Sequence, residues 1–96
     1  MDRKELERIW AATAKHLNAA RGQLPEVPAT GVDGATISGF DECLRDNEME
    51  LALDELEDLG LTNAPPAAFW QHLIFAAESM ELWERATDFK RRMGNA

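Results

Sequence analysis

The stretch DNEMELALDELEDLG, residues 46–60, decides how this chain folds. On a helical wheel its apolar residues fall within one arc of about 120°, which is the side that a helix buries against a core. These residues are Met49, Ala52, Leu53, Leu56 and Leu59. The pattern predicts an amphipathic α-helix that ends at Gly60, because glycine is common just after a helix.

The opposite side of the same helix is almost entirely acidic. Residues 46–60 contain seven acids and no base, and residues 41–58 contain nine acids against Arg45 alone. This window carries the whole net charge of −8, because the rest of the chain has nine acids and nine bases. Binding to nucleic acid requires clustered Lys and Arg, so we expect no nucleic acid to bind directly.

The acids of this helix are the candidate functional residues, as a docking surface for a basic protein. Surface helices usually mix their signs, because like charges one turn apart repel. Glu50, Asp54 and Glu57 form an unmixed stripe that should face solvent, so removing its charge should weaken binding without loss of stability. The alternative is that the stripe is only the solvated side of an ordinary helix. The predicted partner-binding residues are Asp46, Glu48, Glu50, Asp54, Glu55, Glu57 and Asp58.

Three further segments carry apolar residues at helical spacing, and no segment alternates as a half-buried strand does. These predicted helices cover residues 2–21, 69–80 and 82–93. The fold class is therefore all-α: one domain over residues 1–96, built as a small bundle of four or five short helices. The side chains expected in its core are Trp10, Leu53, Leu56, Phe69, Leu73 and Phe89. The 69–80 helix is apolar on several sides and should be central.

Cap and turn residues predict where the helices begin and end. Asp2 should cap the first helix, and a short helix should resume near Ser38. Asn47 should cap the helix that follows or mark a slight break within a longer helix, and Pro65 or Pro66 should occupy the first helical position of the next one.

The remaining segment is GQLPEVPATGVDGATISG, residues 22–39, which contains several glycines and two prolines and has no apolar period. It predicts one long loop, and structureless connections of this length are usually functional or mobile. With little to bury, the loop should be the least ordered internal segment.

Residue types that carry out chemistry are few and scattered. His16 and His72 each lack a second histidine or cysteine three or four residues away, and the acids lack the order of a calcium loop. Cys43, the only cysteine, lies in an apolar pattern typical of a core residue, and no internal disulfide is possible. We therefore expect no catalytic activity, no metal and no cofactor. The absence of a signal-like or membrane-spanning apolar run favours a cytoplasmic protein with no membrane partner.

The acidic helix and the segment FWQHLIFAAESMEL, residues 69–82, together resemble the small helical immunity proteins of bacterial toxin–immunity systems, the MafI-type in particular. That family has an acidic or aromatic N-E-x-x-x-A-L-x-x-L helix, followed by a helix that ends A-x-x-M-x-L. The residues that match are Asn47, Glu48, Ala52, Leu53 and Leu56, then Ala76, Ala77, Met80 and Leu82. The resemblance covers residues 40–83, and the 22–39 loop and the Pro65–Pro66 turn depart from it. It implies a stoichiometric inhibitor that blocks a cognate toxin.

The sequence thus leads to a non-catalytic immunity or inhibitor protein, a monomer or weak homodimer, which binds a basic partner through the acidic helix, aided by the 22–39 loop. A homodimeric structural or regulatory domain is the alternative, with an apolar surface around Trp70, Ile74 and Phe75 as the subunit interface. A small enzyme or metal protein is a third reading, for which the sequence has no positive sign.

Overall fold

Five α-helices account for the regular structure of residues 2–95, the part of the chain described by this computed structural model. The all-α prediction is confirmed, and no strand occurs between residues 2 and 95. In chain order the helices are α1 (Arg3–Arg21), α2 (Ile37–Arg45), α3 (Met49–Asn63), α4 (Ala67–Ser79) and α5 (Trp83–Gly94). Within these residues every helix is too short or too polar to cross a lipid bilayer.

Helix α4 lies at the centre, packed mainly against α1 on one side and α5 on the other. Trp70 on α4 is 5% exposed, since the ring of Phe69 meets it edge-on with centroids 4.9 Å apart and Phe89 of α5 lies 6.1 Å away. Helix α2 packs chiefly on α3 and contributes the fully buried Phe40. The apolar periods of α3, α4 and α5 therefore meet in one core, as predicted.

Five of the six predicted core residues are fully buried, and Trp10 is the exception. Trp10 is only half-buried because it lies in the N-terminal part of α1, at the edge of the core. The apolar surface predicted as a homodimer interface is also wrong for two of its three residues, because they are buried. Trp70 and Ile74, at 5% and 2% exposure, belong to the core of a single chain. Phe75 is 41% exposed and stacks on His16 with ring centroids 5.5 Å apart.

The first two helices begin at side-chain caps. Asp2 caps α1 as predicted, and its Oδ1 accepts a hydrogen bond from the Glu5 amide at 2.8 Å. The cap of α2 is Thr36, whose Oγ1 accepts from the Gly39 amide at 3.0 Å, so α2 begins just before Ser38. Both caps satisfy amides that have no partner within their own helix.

Asn47 was predicted to cap α3, but it ends α2 instead. Its φ of 57° is left-handed, which asparagine tolerates better than most residues. The amide of Glu48 then donates to the Cys43 carbonyl at 2.8 Å, which is the long bond of a Schellman motif. Glu81 and Leu82 repeat this arrangement after α4, with a φ of 59° at Glu81. At both corners the next helix begins one residue later, with Met49 and Trp83 as its first residues.

Gly60 was predicted to end α3, and this too is wrong. The helix continues through Gly60 to Asn63 and stops at Ala64, whose φ of 47° is left-handed, before the two prolines. Pro66 then occupies the N-cap of α4, one position earlier than expected. Gly60 serves packing, because a Cβ at this position would collide with the ring of Phe69. The glycine lets α4 approach α3 closely.

Leu56→Ala should destabilise the protein by about 2–5 kcal/mol, because Leu56 is fully buried on α3 and its loss leaves a cavity. Leu51→Ala is the matched control on the same helix, since Leu51 is 51% exposed and its truncation should change stability by less than about 1 kcal/mol. Urea denaturation measures both. Equal losses would contradict the placement of the α3 core face.

Gly60→Ala should destabilise, although alanine favours a helix interior over glycine by about 1 kcal/mol. The added methyl group must displace Phe69 or α4, and overpacking of this kind costs about 1–3 kcal/mol. Gly94→Ala, at the end of α5, is the control because a Cβ there meets nothing within 4 Å. A rise in melting temperature for Gly60→Ala would mean that α3 and α4 do not approach closely at this residue.

Candidate interaction surface

The seven predicted partner-binding acids do not form one surface. Four of them are engaged by other parts of the same chain: Asp54, Glu55, Glu57 and Asp58. The other three, Asp46, Glu48 and Glu50, are exposed and make no side-chain hydrogen bond or ion pair within residues 2–95. The acids on the later turns of α3 therefore bind other parts of the chain. Those before and at its start make no such contacts within residues 2–95.

Asp58 is the most deeply engaged acid. Only 8% exposed, it accepts through Oδ2 from the amides of Ala35 at 3.0 Å and Asp33 at 3.1 Å. The backbone of Gly31 lies so close that a Cβ there would collide with the Asp58 carboxylate. The expectation that the acids of α3 face solvent is wrong for Asp58. Its charge instead satisfies buried backbone donors of the loop between α1 and α2.

The last turn of α3 holds another part of the same loop. The Asn63 side chain accepts from the Ala29 amide and donates to the Ala29 carbonyl, both at 2.9 Å, and Thr62 Oγ1 accepts from the Val32 amide at 3.2 Å. Leu24 and Ala35 of the loop are buried in the core. The loop therefore does bury side chains and has fixed partners. The prediction placed Thr62 and Asn63 in a turn after Gly60, so their role was missed.

Glu55 connects the end of the loop to α3. Its Oε2 accepts from the amide of Thr36 at 3.2 Å, and Thr36 is the residue that caps α2. Glu55 therefore helps to set where α2 begins, and with it the position of the acids that α2 carries.

The stripe of Asp54 and Glu57 is not unmixed, because α5 supplies the opposite charge. Arg85 reaches Asp54 through Nη1 at 2.8 Å and Glu57 through Nη2 at 3.1 Å. Arg92 Nε lies 3.5 Å from Glu57 Oε2, which is close enough for electrostatic attraction. The buried Nε makes no hydrogen bond. Both guanidinium groups also lie over aromatic rings, Arg85 over Phe89 at 5.4 Å and Arg92 over a tryptophan of α4. Removing these carboxylates would leave the arginines unpaired, which corrects the expectation of unchanged stability.

The unneutralised acids gather where α2 ends and α3 begins. Asp41 and Glu42 on α2 join Asp46, Glu48 and Glu50, and all five are exposed. Arg45, the one base of this stretch, makes no ion pair within the described residues and leaves a local charge of −4 over residues 41–50. We call these five carboxylates the acidic corner.

An apolar groove of about 670 Å³ adjoins the acidic corner at Met49 and Glu50. It lies between the first turns of α1, the end of α4 and the start of α5. Its apolar lining consists of Leu6, Ile9, Trp10, Met49, Met80 and Trp83. Its charged lining is acidic throughout: Glu5, Glu50, Glu78 and Glu81. The groove was not predicted from the sequence, because Trp10 was expected in the core and no position was predicted for Trp83.

Trp83 is the side chain of the groove that most needs an explanation. It is 58% exposed at the first position of α5, although a tryptophan carries a large apolar surface. The neighbouring Ser79 adds no free polar group, since it donates to the Ala76 carbonyl at 2.7 Å and its oxygen lies 2.6 Å from Thr13 Oγ1. The groove therefore offers apolar surface inside and carboxylates at its rim.

The side chains of Cys43 and His16 have environments that reduce reactivity and charge, respectively. Burial raises the pKa of the Cys43 thiol, and nearby carboxylates, Glu55 first among them, raise it further. The thiol therefore stays protonated at neutral pH. Burial also lowers the pKa of His16, with smaller contributions from Lys15 and His72. Among residues 2–95, no group of three or more histidine, cysteine or acidic side chains is arranged to hold a metal ion.

Asp58→Asn should destabilise the protein by about 1–3 kcal/mol, because one amide oxygen replaces a charged acceptor of the buried Ala35 N–H and the partly buried Asp33 N–H. Amide exchange at Asp33 and Ala35 should accelerate with it. Asp54→Asn makes the same chemical change one turn earlier on a half-exposed side chain, where the loss should stay below about 1 kcal/mol. Similar losses, with exchange unchanged at both loop amides, would contradict the structural role of Asp58.

Comparison with protein-family models, with curated proteins and with solved structures found no match to this chain. The case for a function therefore rests on the chemistry of the acidic corner and the groove.

Proposed function

We propose that this chain is a non-catalytic inhibitor that binds a basic protein partner and blocks it, as an immunity protein blocks its toxin. One observation carries the proposal: five exposed carboxylates lie within ten residues across the α2–α3 corner, and none of them forms an ion pair among residues 2–95. Asp54 and Glu57, in contrast, are paired with Arg85 of the same chain. The corner suits a surface that supplies the positive charge from outside.

The acidic corner would act through its summed field. Its carboxylates are exposed and solvated, so each one alone contributes little to affinity. Several like charges on one surface attract an opposite surface over roughly a Debye length, about 8 Å at physiological salt, and raise the rate of association. A cationic toxin domain, such as one that binds nucleic acid, presents that opposite surface. An inhibitor of this type works without a cofactor, in the cytoplasm of the cell that makes the toxin.

The structure of α3 narrows the proposed contact residues. Asp46, Glu48 and Glu50, with Asp41 and Glu42 of α2, form the contact surface. Asp58 and Glu55 are committed to the loop, and Asp54 and Glu57 to Arg85. These four acids do not contact the partner. They hold the loop before α2 and helix α5 against α3, and so fix the position of the acidic corner.

The protein encoded beside this chain is the natural partner to test. Its expression in a bacterial host should arrest growth, and co-expression of this chain should restore growth. The variant Asp46→Asn/Glu48→Gln/Glu50→Gln should associate roughly tenfold or more slowly at low salt, with a smaller difference at high salt. Stability should stay the same or rise slightly, because like charges are removed. Surface plasmon resonance measures the rates and thermal denaturation the stability.

A control variant separates the local surface from overall charge. Glu26→Gln/Asp33→Asn/Asp88→Asn also removes three exposed acids, but none of them belongs to the acidic corner. It should keep most of the association rate and full protection of the host. If both variants lose protection equally, only the net charge matters. If neither loses it, the acidic corner is a solvated surface and the contact lies elsewhere on the chain. If the unchanged chain fails to restore growth, the proposed function is wrong.

A further inference from the structure

The groove beside the acidic corner has the composition of a binding site for an apolar element. Trp83 is 58% exposed, and Leu6, Ile9 and Trp10 of α1 are only half-buried around it. Exposed apolar surface framed by polar residues marks interaction sites, and tryptophan is enriched among the residues that dominate binding energy. Whatever covers these side chains must itself be apolar where it enters the groove.

The rim of the groove determines the charge of the occupant. No lysine or arginine lines the groove, while Glu5, Glu50, Glu78 and Glu81 all do. Glu78 has Lys90 at 3.6 Å, but the other three make no ion pair within residues 2–95. An occupant with acidic flanks would be repelled, whereas one with Lys or Arg beside its apolar residues would be attracted on each side.

A second copy of this chain does not meet that requirement. Two copies carry −8 each, and bringing their grooves together would place glutamates against glutamates. The chain's one strongly basic run, Lys90 to Arg92, lies on α5, and Phe89 beside it is fully buried. That run therefore cannot present Phe89 together with its bases to a second copy. A different protein fits the groove better.

We propose that the groove binds an amphipathic helical segment of the basic partner. Its apolar side chains, spaced i, i+3 or i+4 and i+7, enter between α1 and the α4–α5 corner and cover Trp83. Its lysines and arginines face Glu5, Glu50 and Glu81. This inference rests on the proposed function and specifies how the partner is held: the acidic corner attracts the partner, and the groove supplies the apolar contact that slows its release.

A synthetic helical peptide tests the groove without the natural partner. The probe contains only leucine and lysine, with leucines at i, i+3, i+4 and i+7. The control peptide has the same composition, reordered so that leucines surround the helix. The full chain, labelled with ¹⁵N, is titrated with each peptide by NMR. The indole signals of Trp10 and Trp83 should shift with the probe, while that of the buried Trp70 stays in place as an internal reference.

Matched variants then locate the binding energy. Trp83→Ala should lower the affinity for the probe peptide by about tenfold or more, the effect expected from removing a central aromatic side chain of a binding site. Leu61→Ala is the control, since Leu61 is 50% exposed but lies at the far end of α3, about 18 Å along the helix from Met49. It should change affinity by less than about twofold. Glu5→Gln/Glu81→Gln should lower the affinity for the probe peptide and make that affinity less dependent on salt.

Three outcomes would overturn the inference. The control peptide could bind as tightly as the probe, or Trp83→Ala could leave the affinity unchanged; either result would mean that only charge attracts the peptide. Sedimentation could also reveal a dimer that Trp83→Ala dissociates, so that a second copy occupies the groove. None of these results alters the toxin-protection assay with the Asp46/Glu48/Glu50 variant. Failure of the groove and failure of the proposed function therefore appear in different experiments.

Discussion

The contact between the Asp58 carboxylate and the backbone of the α1–α2 loop is the interaction on which the rest of the arrangement depends. Two loop amides donate to Asp58, and Glu55 accepts from the residue that caps α2. Helix α2 packs chiefly on α3, so the loop and the buried Phe40 decide where it lies. Without the carboxylate, the buried N–H group of Ala35 would lack its partner, at a cost of about 1–3 kcal/mol. The acidic corner exists in its present form because Asp58 holds the loop in place.

The distribution of charge follows from which acids the fold neutralises. Arg85 and Arg92 approach the middle of α3 because α5 packs on α4, where Phe89 meets Trp70. Within the described residues no base forms an ion pair with the acids at the start of α3. A stripe that looks uniform along one helix thus becomes two regions, one paired with arginines of α5 and the other exposed and without ion pairs among residues 2–95. The distinction depends on distance in space and not on position along the chain.

The two helix corners give the groove its shape. Glu48 and Leu82 share almost the same backbone conformation, with φ/ψ of −90°/71° and −90°/70°, each directly after a left-handed residue. Each corner begins a new helix at once, and the first residues of those helices, Met49 and Trp83, both line the groove. The tight connections bring the ends of four helices beside one another, and the side chains at these ends are too few to cover each other fully.

The sequence by itself determined the helices and their buried faces, since apolar side chains at intervals of three and four residues must lie on one side of a helix. Leu53, Leu56, Phe69, Leu73 and Phe89 were identified in this way, and all are fully buried. The cap at Asp2 was predictable for the same reason, because it depends only on neighbouring residues. Tertiary structure alone decided the roles of Gly60 and Asp58. Gly60 lies inside α3, where the ring of Phe69 leaves no room for a Cβ. Asp58 binds a loop more than twenty residues earlier in the chain. Likewise, the pairing of α3 with Arg85 and the incomplete burial of Trp10 and Trp83 depend on how helices pack. A residue's periodicity reports which side of its helix it occupies, but only packing determines whether another part of the chain covers that side.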